Sequence, residues 1–263
     1  AKKALQMAKV NAEDIDMIIF ATLTPDMIIP SAACILQANL GAKNAAAYDL
    51  QAACSGFVYG LITAASYISS GIYKKVLVVG AEILSRRVNW NDRGTCILFG
   101  DGAGAAVVSE VPEGYGIKGI DMGGPALCIP AGGTAVVAND QRIEEGLTFI
   151  HMDGPEVYKF AVKTMGRTVL KSLERAGMEL NELDYFIPHQ ANIRIIDSAA
   201  KRLHLPMEKV FVNLHKYGNT SAASVAIALD EAYREGHFKR GDNVAFAGFG
   251  AGLTWASLVL KWY

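Results

Sequence analysis

The sequence has no long hydrophobic run, no excess of either charge and little cysteine, and each shortage closes off a class of protein. Its apolar stretches break off well short of the roughly 20 residues that span a bilayer. No basic-then-apolar leader opens it, so a cytoplasmic protein with no membrane partner is expected. Lys and Arg number 25 against 26 Asp and Glu, a net charge of -1, which offers no basic surface for nucleic acid. Four cysteines, Cys34, Cys54, Cys96 and Cys128, lie far apart with no C-x-x-C pair, so neither a metal centre nor a disulfide framework is expected. What is abundant is apolar. The 263 residues are 51% hydrophobic and 19% charged, a core-rich globular composition with length for one large domain or two fused ones.

Apolar runs bounded by turn residues alternate with longer helical patterns. Ile15–Leu23, Ala45–Leu50 and Lys75–Gly80 read as buried strands, and Ser31–Leu40 as a helix stopped by Gly41. Phe57 opens a second helix, and Ile97–Ser109 is a glycine-rich turn running into a strand. Residues 110–150 are dense in Gly and Pro, with an abrupt junction at Met122-Gly123-Gly124-Pro125 where a few residues are expected to be absent. Beyond them, Val157–Ala176, Ala191–Leu203 and Ser221–Glu235 read as helices, and Leu183–Ile187, Val210–Leu214 and Asn243–Gly248 as strands. This alternation argues an α/β fold with parallel pairing. The opening Ala1-Lys2-Lys3, with neither Met nor strand before the first helix, leads us to expect an N-terminal segment missing from this numbering.

The halves repeat. At an offset of 168 residues, Lys3, Leu5, Ala8, Ile15 and Asp16 fall on Lys171, Leu173, Ala176, Leu183 and Asp184, and VLVVG at 76–80 falls on VAFAG at 244–248. Phe99-Gly100 echoes Phe249-Gly250-Ala251-Gly252. A duplicated βαβ-type unit accounts for this, with residues 1–115 as the N-terminal half, 116–150 as a connecting region and 151–263 as the C-terminal half. The turn carrying Cys54 then corresponds to Gly218–Ala222, and the end of the strand at 17–20 to Pro188-His189.

Three polar residues thereby come to strand-to-helix turns: Cys54, His189 and Asn219. The carboxyl ends of parallel strands are where α/β folds place ligands. A thiol before a helix N-terminus is favoured as thiolate, yet by itself Cys54 reads more readily as a small buried hydrophobe. His189 is equally readable as a hydrogen-bonded core histidine, and Asn219 as a turn or N-cap residue. The other histidines read as surface or turn residues.

AACSGF around Cys54, PHQANIRI around His189, YGNTSAAS around Asn219, FGAGLTW near the end, DRGT at 92–95 and FGDGAGAAV at 99–107 together resemble the β-ketoacyl-[acyl carrier protein] synthase III family. The resemblance runs over essentially the whole chain. It implies a thiolase-like fold, a layered αβαβα sandwich of two duplicated βαβ-rich halves, and an acyltransferase that starts fatty-acid synthesis. Elongating relatives carry a second His where this chain has Asn219, degradative thiolases use a second Cys, and hydroxymethylglutaryl-type synthases place a Glu near the Cys. Plant-type polyketide synthases share Cys-His-Asn in different motifs. Alternatives are a Cys-His-Asn condensing enzyme of secondary metabolism with a polyketide or quinolone starter, a thioester hydrolase, and a non-catalytic acyl-binding protein.

The resemblance also implies roles. Cys54 takes an acyl group from acyl-CoA, and His189 and Asn219 hold the thioester oxygen of malonyl-[acyl carrier protein] as it loses CO2. The backbone N–H groups of Cys54 and Ala251 form an oxyanion hole. Arg93, Asn192 and Phe249 match residues that bind CoA or line the pantetheine tunnel, with no permanently bound cofactor. Gln190, Ala191, Asn192, Ile193, Arg194, Lys201 and Arg202 match a carrier-protein face. In the family, the loop at 25–30 crosses the axis of a homodimer into the partner's acyl pocket. Ile29 stands where a Phe is common, from which tolerance of longer or branched primers is expected.

Overall fold

The computed structural model describes residues 1–123, 129, 131, 133 and 135–263. Gly124, Pro125 and Cys128, and with them the junction expected at 122–125, lie outside the described residues. In chain order the strands are β1 (Met17–Ala21), β2 (Ala46–Leu50), β3 (Lys75–Glu82), β4 (Gly102–Ser109), β5 (Gly116–Gly123), β6 (Tyr185–Pro188), β7 (Asn243–Gly250) and β8 (Thr254–Lys261). The helices are α1 (Lys2–Ala8), α2 (Ala32–Leu40), α3 (Gly56–Ser69), α4 (Arg93–Cys96), α5 (Asp140–Glu144), α6 (Gly154–Ala176), α7 (Ile193–Arg202), α8 (Leu214–Tyr217) and α9 (Ala223–Arg234). No helix among the described residues is long and apolar enough to cross a membrane.

Two sheets, ordered β2-β1-β3-β4 and β5-β8-β7-β6, are each covered on both faces. The alternation along the strands shows why. Met17, Ile19, Val76 and Val78 point inward to the same core as Tyr185, Ile187, Val244 and Phe246 of the other sheet. The intervening Ile18, Leu77 and Val79 face a cluster with Leu5 of α1 and Ala33 of α2. Phe186, Ala245 and Ala247 face Met165 and Val169 of α6 and Ile196 of α7. Helices α3 and α9 lie between the sheets. Buried on both sides, α3 is apolar nearly all round, with Phe57, Val58, Leu61, Ile62 and Ile68 buried. The result is the five-layered αβαβα sandwich.

The duplication is visible at atomic level. β1 pairs with β3 in parallel at Met17–Val76, and β6 with β7 at Tyr185–Val244, the same register 168 residues on. Asp16 accepts from the Lys75 N–H at 2.8 Å, and Asp184 accepts from the Asn243 N–H at 2.9 Å.

Three features depart from the sequence expectation. The sheets are mixed rather than wholly parallel: β4 runs antiparallel to β3, and β8 antiparallel to β7. The short 251–253 turn between β7 and β8 makes a hairpin, which only antiparallel strands can close. Residues 116–123, placed in the connecting region, form β5 and extend the second sheet along β8. The strand expected at 210–214 reduces to a single bridge between Phe186 and Val210. Its next amides, on Asn213 and Leu214, donate to the Gln190 side chain instead of a neighbouring strand.

Candidate active site

Cys54, His189 and Asn219 leave three different elements and line one cavity of about 750 Å³. Cys54 lies in a 3-10 turn, Ala53–Ser55, that joins β2 to α3. Ala53 holds the turn with a left-handed φ of 45°, which for a residue with a Cβ is sterically costly. The turn crosses the end of β7 because β7 has glycines there. A Cβ on Gly250 would lie 2.5 Å from the Cys54 nitrogen, and one on Gly248 3.0 Å from the Cys54 carbonyl oxygen. The pseudo-equivalent turn is built the same way: Ser221 has φ 47°, and a Cβ on Gly80 of β3 would meet the Ala222 carbonyl oxygen at 2.4 Å.

Cys54 stands just before the N-terminus of α3, as the sequence implied, but burial pushes the thiol up to about 12, with the Ser221 hydroxyl pulling the other way.

His189 follows β6, its N–H donating to the Ala247 carbonyl at 2.7 Å. Burial pushes its pKa down to about 3, so the ring is neutral and carries one proton. Ser224 Oγ accepts from the Gln190 N–H and lies 2.5 Å from His189 Nδ1. A hydroxyl has one hydrogen and two lone pairs: with the serine hydrogen on Nδ1 the ring proton sits on Nε2, and with Nδ1–H donating to Oγ it sits on Nδ1. Phe249 packs edge-on against the imidazole, centroids 5.4 Å apart.

Asn219 is held from both sides. Its backbone N–H donates to the Leu98 carbonyl and its carbonyl accepts from Gly100 N–H, each at 2.9 Å. That contact needs Gly100, where a Cβ would strike the Tyr217 carbonyl oxygen. The Asn219 Oδ1 accepts from the Ser221 N–H at 2.9 Å. The acceptor end of the amide is engaged, so the Nδ2 donor is the end left for a ligand. Neutral His189 and the Asn219 amide both border the cavity that Cys54 lines.

Ala191, Asn192, Phe249 and Ala251 also line the cavity. Asn192 does double duty, its Oδ1 capping α7 through the Arg194 N–H at 2.8 Å. Arg93 sits on exposed α4 and Ile29 is 84% exposed; neither lines this cavity. Ile193, Arg194, Lys201 and Arg202 are exposed along α7, with Lys201 paired to Asp197 at 2.6 Å. Gln190 does not belong to that surface. It is 1% exposed, donates to the Pro188 and Phe211 carbonyls, and accepts from Asn213 and Leu214. Its amide clamps the His189 turn from inside.

Sequence reasoning passed over Ser221, Ser224 and Glu82. Both serines stand in or beside the GNTSAAS motif, and Glu82 ends the apolar run of β3 as a lone charge. Glu82 is 2% exposed and is not among the cavity's lining residues; its carboxylate accepts from the Leu23 N–H and the Thr24 hydroxyl. Among the described residues no group of three or more His, Cys, Asp or Glu is placed to hold a metal ion.

Two family models match the chain: 3-oxoacyl-[acyl-carrier-protein] synthase III over residues 48–124, and the C-terminal part of the same synthase over residues 173–262. The β-ketoacyl-[acyl-carrier-protein] synthase III of Caldanaerobacter subterraneus subsp. tengcongensis is 57% identical, covering 100% of this chain and 81% of that protein. The crystal structure of the 3-oxoacyl-[acyl-carrier-protein] synthase III from Aquifex aeolicus superposes with a TM-score of 0.90 at 46% identity, over 100% of this chain and 82% of the other. A priming β-ketosynthase from the R1128 polyketide biosynthetic pathway is more distant, at 37% identity and a TM-score of 0.88 over 99% and 79%. The chain belongs to the 3-oxoacyl-[acyl carrier protein] synthase III family, acyltransferase-type condensing enzymes of thiolase-like fold that initiate fatty-acid synthesis.

Proposed function

We propose that Cys54 is the acyl-carrying nucleophile of this condensation and that His189 and Asn219 are its decarboxylation pair. The observation that carries the reading is that Cys54, a buried neutral His189 and an Asn219 whose Oδ1 is already engaged line one cavity; in this reading Ser224 donates to His189 Nδ1, so that Nε2–H and Asn219 Nδ2–H are the two donors. The Cys54 thiolate attacks the thioester carbonyl of acyl-CoA, CoA leaves, and the acyl group stays on sulfur. Malonyl-[acyl carrier protein] enters and loses CO2, and its thioester oxygen takes the developing negative charge between the two donors. Neither donor is lost by titration near neutrality. The enolate carbon attacks the acyl-cysteine, whose oxyanion is received by the backbone N–H groups of Cys54 and Ala251. The products are 3-oxoacyl-[acyl carrier protein], CO2 and CoA.

Around this centre, Asn192 and Phe249 border the pantetheine path, and Arg93 on α4 contacts the nucleotide end of CoA. The exposed row Ile193, Arg194, Lys201 and Arg202, with Ala191 and Asn192 at its cavity end, receives the acidic carrier protein. The protein works in the cytoplasm as a homodimer, with Ile29 reaching toward the partner's acyl pocket and no permanently bound cofactor.

Intact-mass measurement after incubation with acetyl-, isobutyryl- and hexanoyl-CoA tests the first half. The mass should rise by one acyl group and should not rise in Cys54→Ala. Adding malonyl-[acyl carrier protein] should discharge the acyl group as a 3-oxoacyl product. Release of free acid instead would identify a hydrolase, and equal use of malonyl-CoA would favour a condensing enzyme outside fatty-acid synthesis. Strict acetyl preference would remove the inference drawn from Ile29.

A further inference from the structure

The oxyanion hole of the proposed reaction draws on two chain segments that meet only in the fold. Cys54 belongs to the turn between β2 and α3, Ala251 to the turn between β7 and β8, and both line the cavity. The glycines of β7 let the turns approach. A pair of hydroxyls, on buried Ser55 and partly buried Thr254, adds a second link. Ser55 Oγ lies 2.7 Å from Thr254 Oγ1 and 2.7 Å from the Ala52 carbonyl oxygen. Thr254 Oγ1 lies 3.0 Å from the same Ala52 oxygen and 3.1 Å from the Ala251 carbonyl oxygen. Two hydrogens serve these contacts, one per hydroxyl. If Ser55 gave its hydrogen to Ala52 and Thr254 its own to Ala251, the two hydroxyl oxygens would face each other at 2.7 Å with no hydrogen between them. Every other arrangement runs at least one hydrogen bond from one turn to the other. The turns are tied in all of them.

The internal duplication shows that the crossing itself does not need this pair. At the 168-residue offset Ser55 corresponds to Ala223 and Gly250 to Glu82. Thr254 is the partner of Gly250 across β7 and β8, and the partner of Glu82 across β3 and β4 is Gly102. The other crossing, Gly80 against Ala222, is therefore made with alanine and glycine in place of the two hydroxyls. Of the two crossings, the one that carries the thiol has the hydroxyl pair.

We propose that Ser55 and Thr254 are positioning residues that hold the Cys54 and Ala251 N–H groups at the spacing an oxyanion needs. This rests on Cys54 carrying the acyl group and on those two N–H groups receiving the oxyanion. The hydroxyls act through the turns rather than on the reacting carbonyl. Thr254 has the larger share, because it reaches a carbonyl on each turn, whereas Ser55 reaches Ala52 and Thr254 alone. Donors stabilise an oxyanion only when both stand at hydrogen-bond distance from the developing charge, and a misplacement of about 1 Å costs about 100-fold. In the proposed cycle the hole is used twice, when acyl-CoA is attacked by Cys54 and when the acyl-cysteine is attacked by the enolate. Loss of CO2 uses His189 and Asn219 instead. The latch therefore belongs to the two transfer steps and not to decarboxylation.

Thr254→Val removes the hydroxyl at nearly constant volume. Acylation by acyl-CoA, followed by intact mass, and condensation should both slow by about 10- to 100-fold. Release of CO2 from malonyl-[acyl carrier protein] supplied without acyl-CoA should stay within about twofold of the native rate. Ser55→Ala leaves Thr254 able to join the turns, so acylation should slow by only about threefold. With Thr254 gone, Ser55 has only the Ala52 carbonyl on its own turn, so the double variant should be no slower than Thr254→Val alone. Thr254→Ser keeps the hydroxyl and should restore most of the rate. Thr254→Ala, which sets no methyl against the two carbonyls, takes the place of Thr254→Val if that variant fails to fold. Unchanged acylation in Thr254→Val, losses that add in the double variant, or CO2 release falling in step with acylation overturns the proposal; the last is what a merely structural role gives. Absence of acylation in the native protein would instead overturn the assignment of Cys54.

Discussion

At the scale of single residues, His189 is governed by its neighbour Ser224. With Ser224 donating to Nδ1 as proposed, Ser224→Ala frees Nδ1 to carry the ring proton, and the donor at Nε2 is lost in part of the population. Condensation should slow by about 10- to 100-fold, while acylation of Cys54, followed by mass, stays near its original rate. The low proton affinity of His189 has a consequence for stability. The unfolded chain takes up a proton near pH 6.5, whereas the native ring does so only near pH 3. Stability from this residue is therefore complete above about 6.5 and declines as the pH falls toward 3. Urea unfolding midpoints should drop across that window by less in His189→Asn than in the native sequence. Turnover, by contrast, should show no acidic limb near pH 6.5 from this residue.

At the scale of elements, the two crossing turns are placed by glycine. Gly80→Ala sets a Cβ against the Ala222 carbonyl oxygen, an atom of backbone that cannot rotate away. It should cost about 1–3 kcal/mol in denaturant unfolding and slow condensation, because the Ser221–Ala222 turn must shift. Gln190→Leu keeps the volume but leaves the Asn213 and Leu214 amides unpaired inside the protein. A loss of about 2–4 kcal/mol is expected, with weakened condensation as the His189 turn loosens. Much at this scale was legible in the chain. Ser31 and Gly41 bracket α2 as cap and stop, and the Val76–Gly80 run forms the centre of β3 because its residues are apolar on both faces. What was not legible follows from competition between partners. The 210–214 segment has strand-like residues, yet Gln190 takes its amides, and a sequence pattern does not record which acceptor wins. Likewise β5 has too many glycines for a strand pattern and exists because β8 supplies an edge.

At the scale of the whole molecule, Ile28 and Ile29 are 87% and 84% exposed, with Met27 at 49% beside them. Contiguous exposed apolar residues mark an interaction surface, in keeping with the proposed homodimer. Sedimentation velocity should give a dimer, and Ile28→Asp with Ile29→Asp should give a folded monomer of reduced activity. A native-sequence monomer would remove the dimer from the proposal.

The chain by itself determined most of its helices and strands, its internal duplication and its family, because each is written in residues close together or repeated at one offset. The pairing of Cys54, His189 and Asn219 was also readable, since the duplication maps their turns to equivalent strand ends. Only the tertiary structure decided the rest: that His189 is buried against Ser224, that Gln190 is buried beneath the site rather than displayed beside it, and that Glu82 is buried outside the cavity lining. Each of these depends on a contact between residues that meet only when the elements are packed. Ser224 lies 35 residues from His189, with α7 and α8 between them, and Glu82 meets Leu23 and Thr24 across 59 and 58 residues. Hydrogen-bond direction and burial are properties of that packing, so they appear only with it.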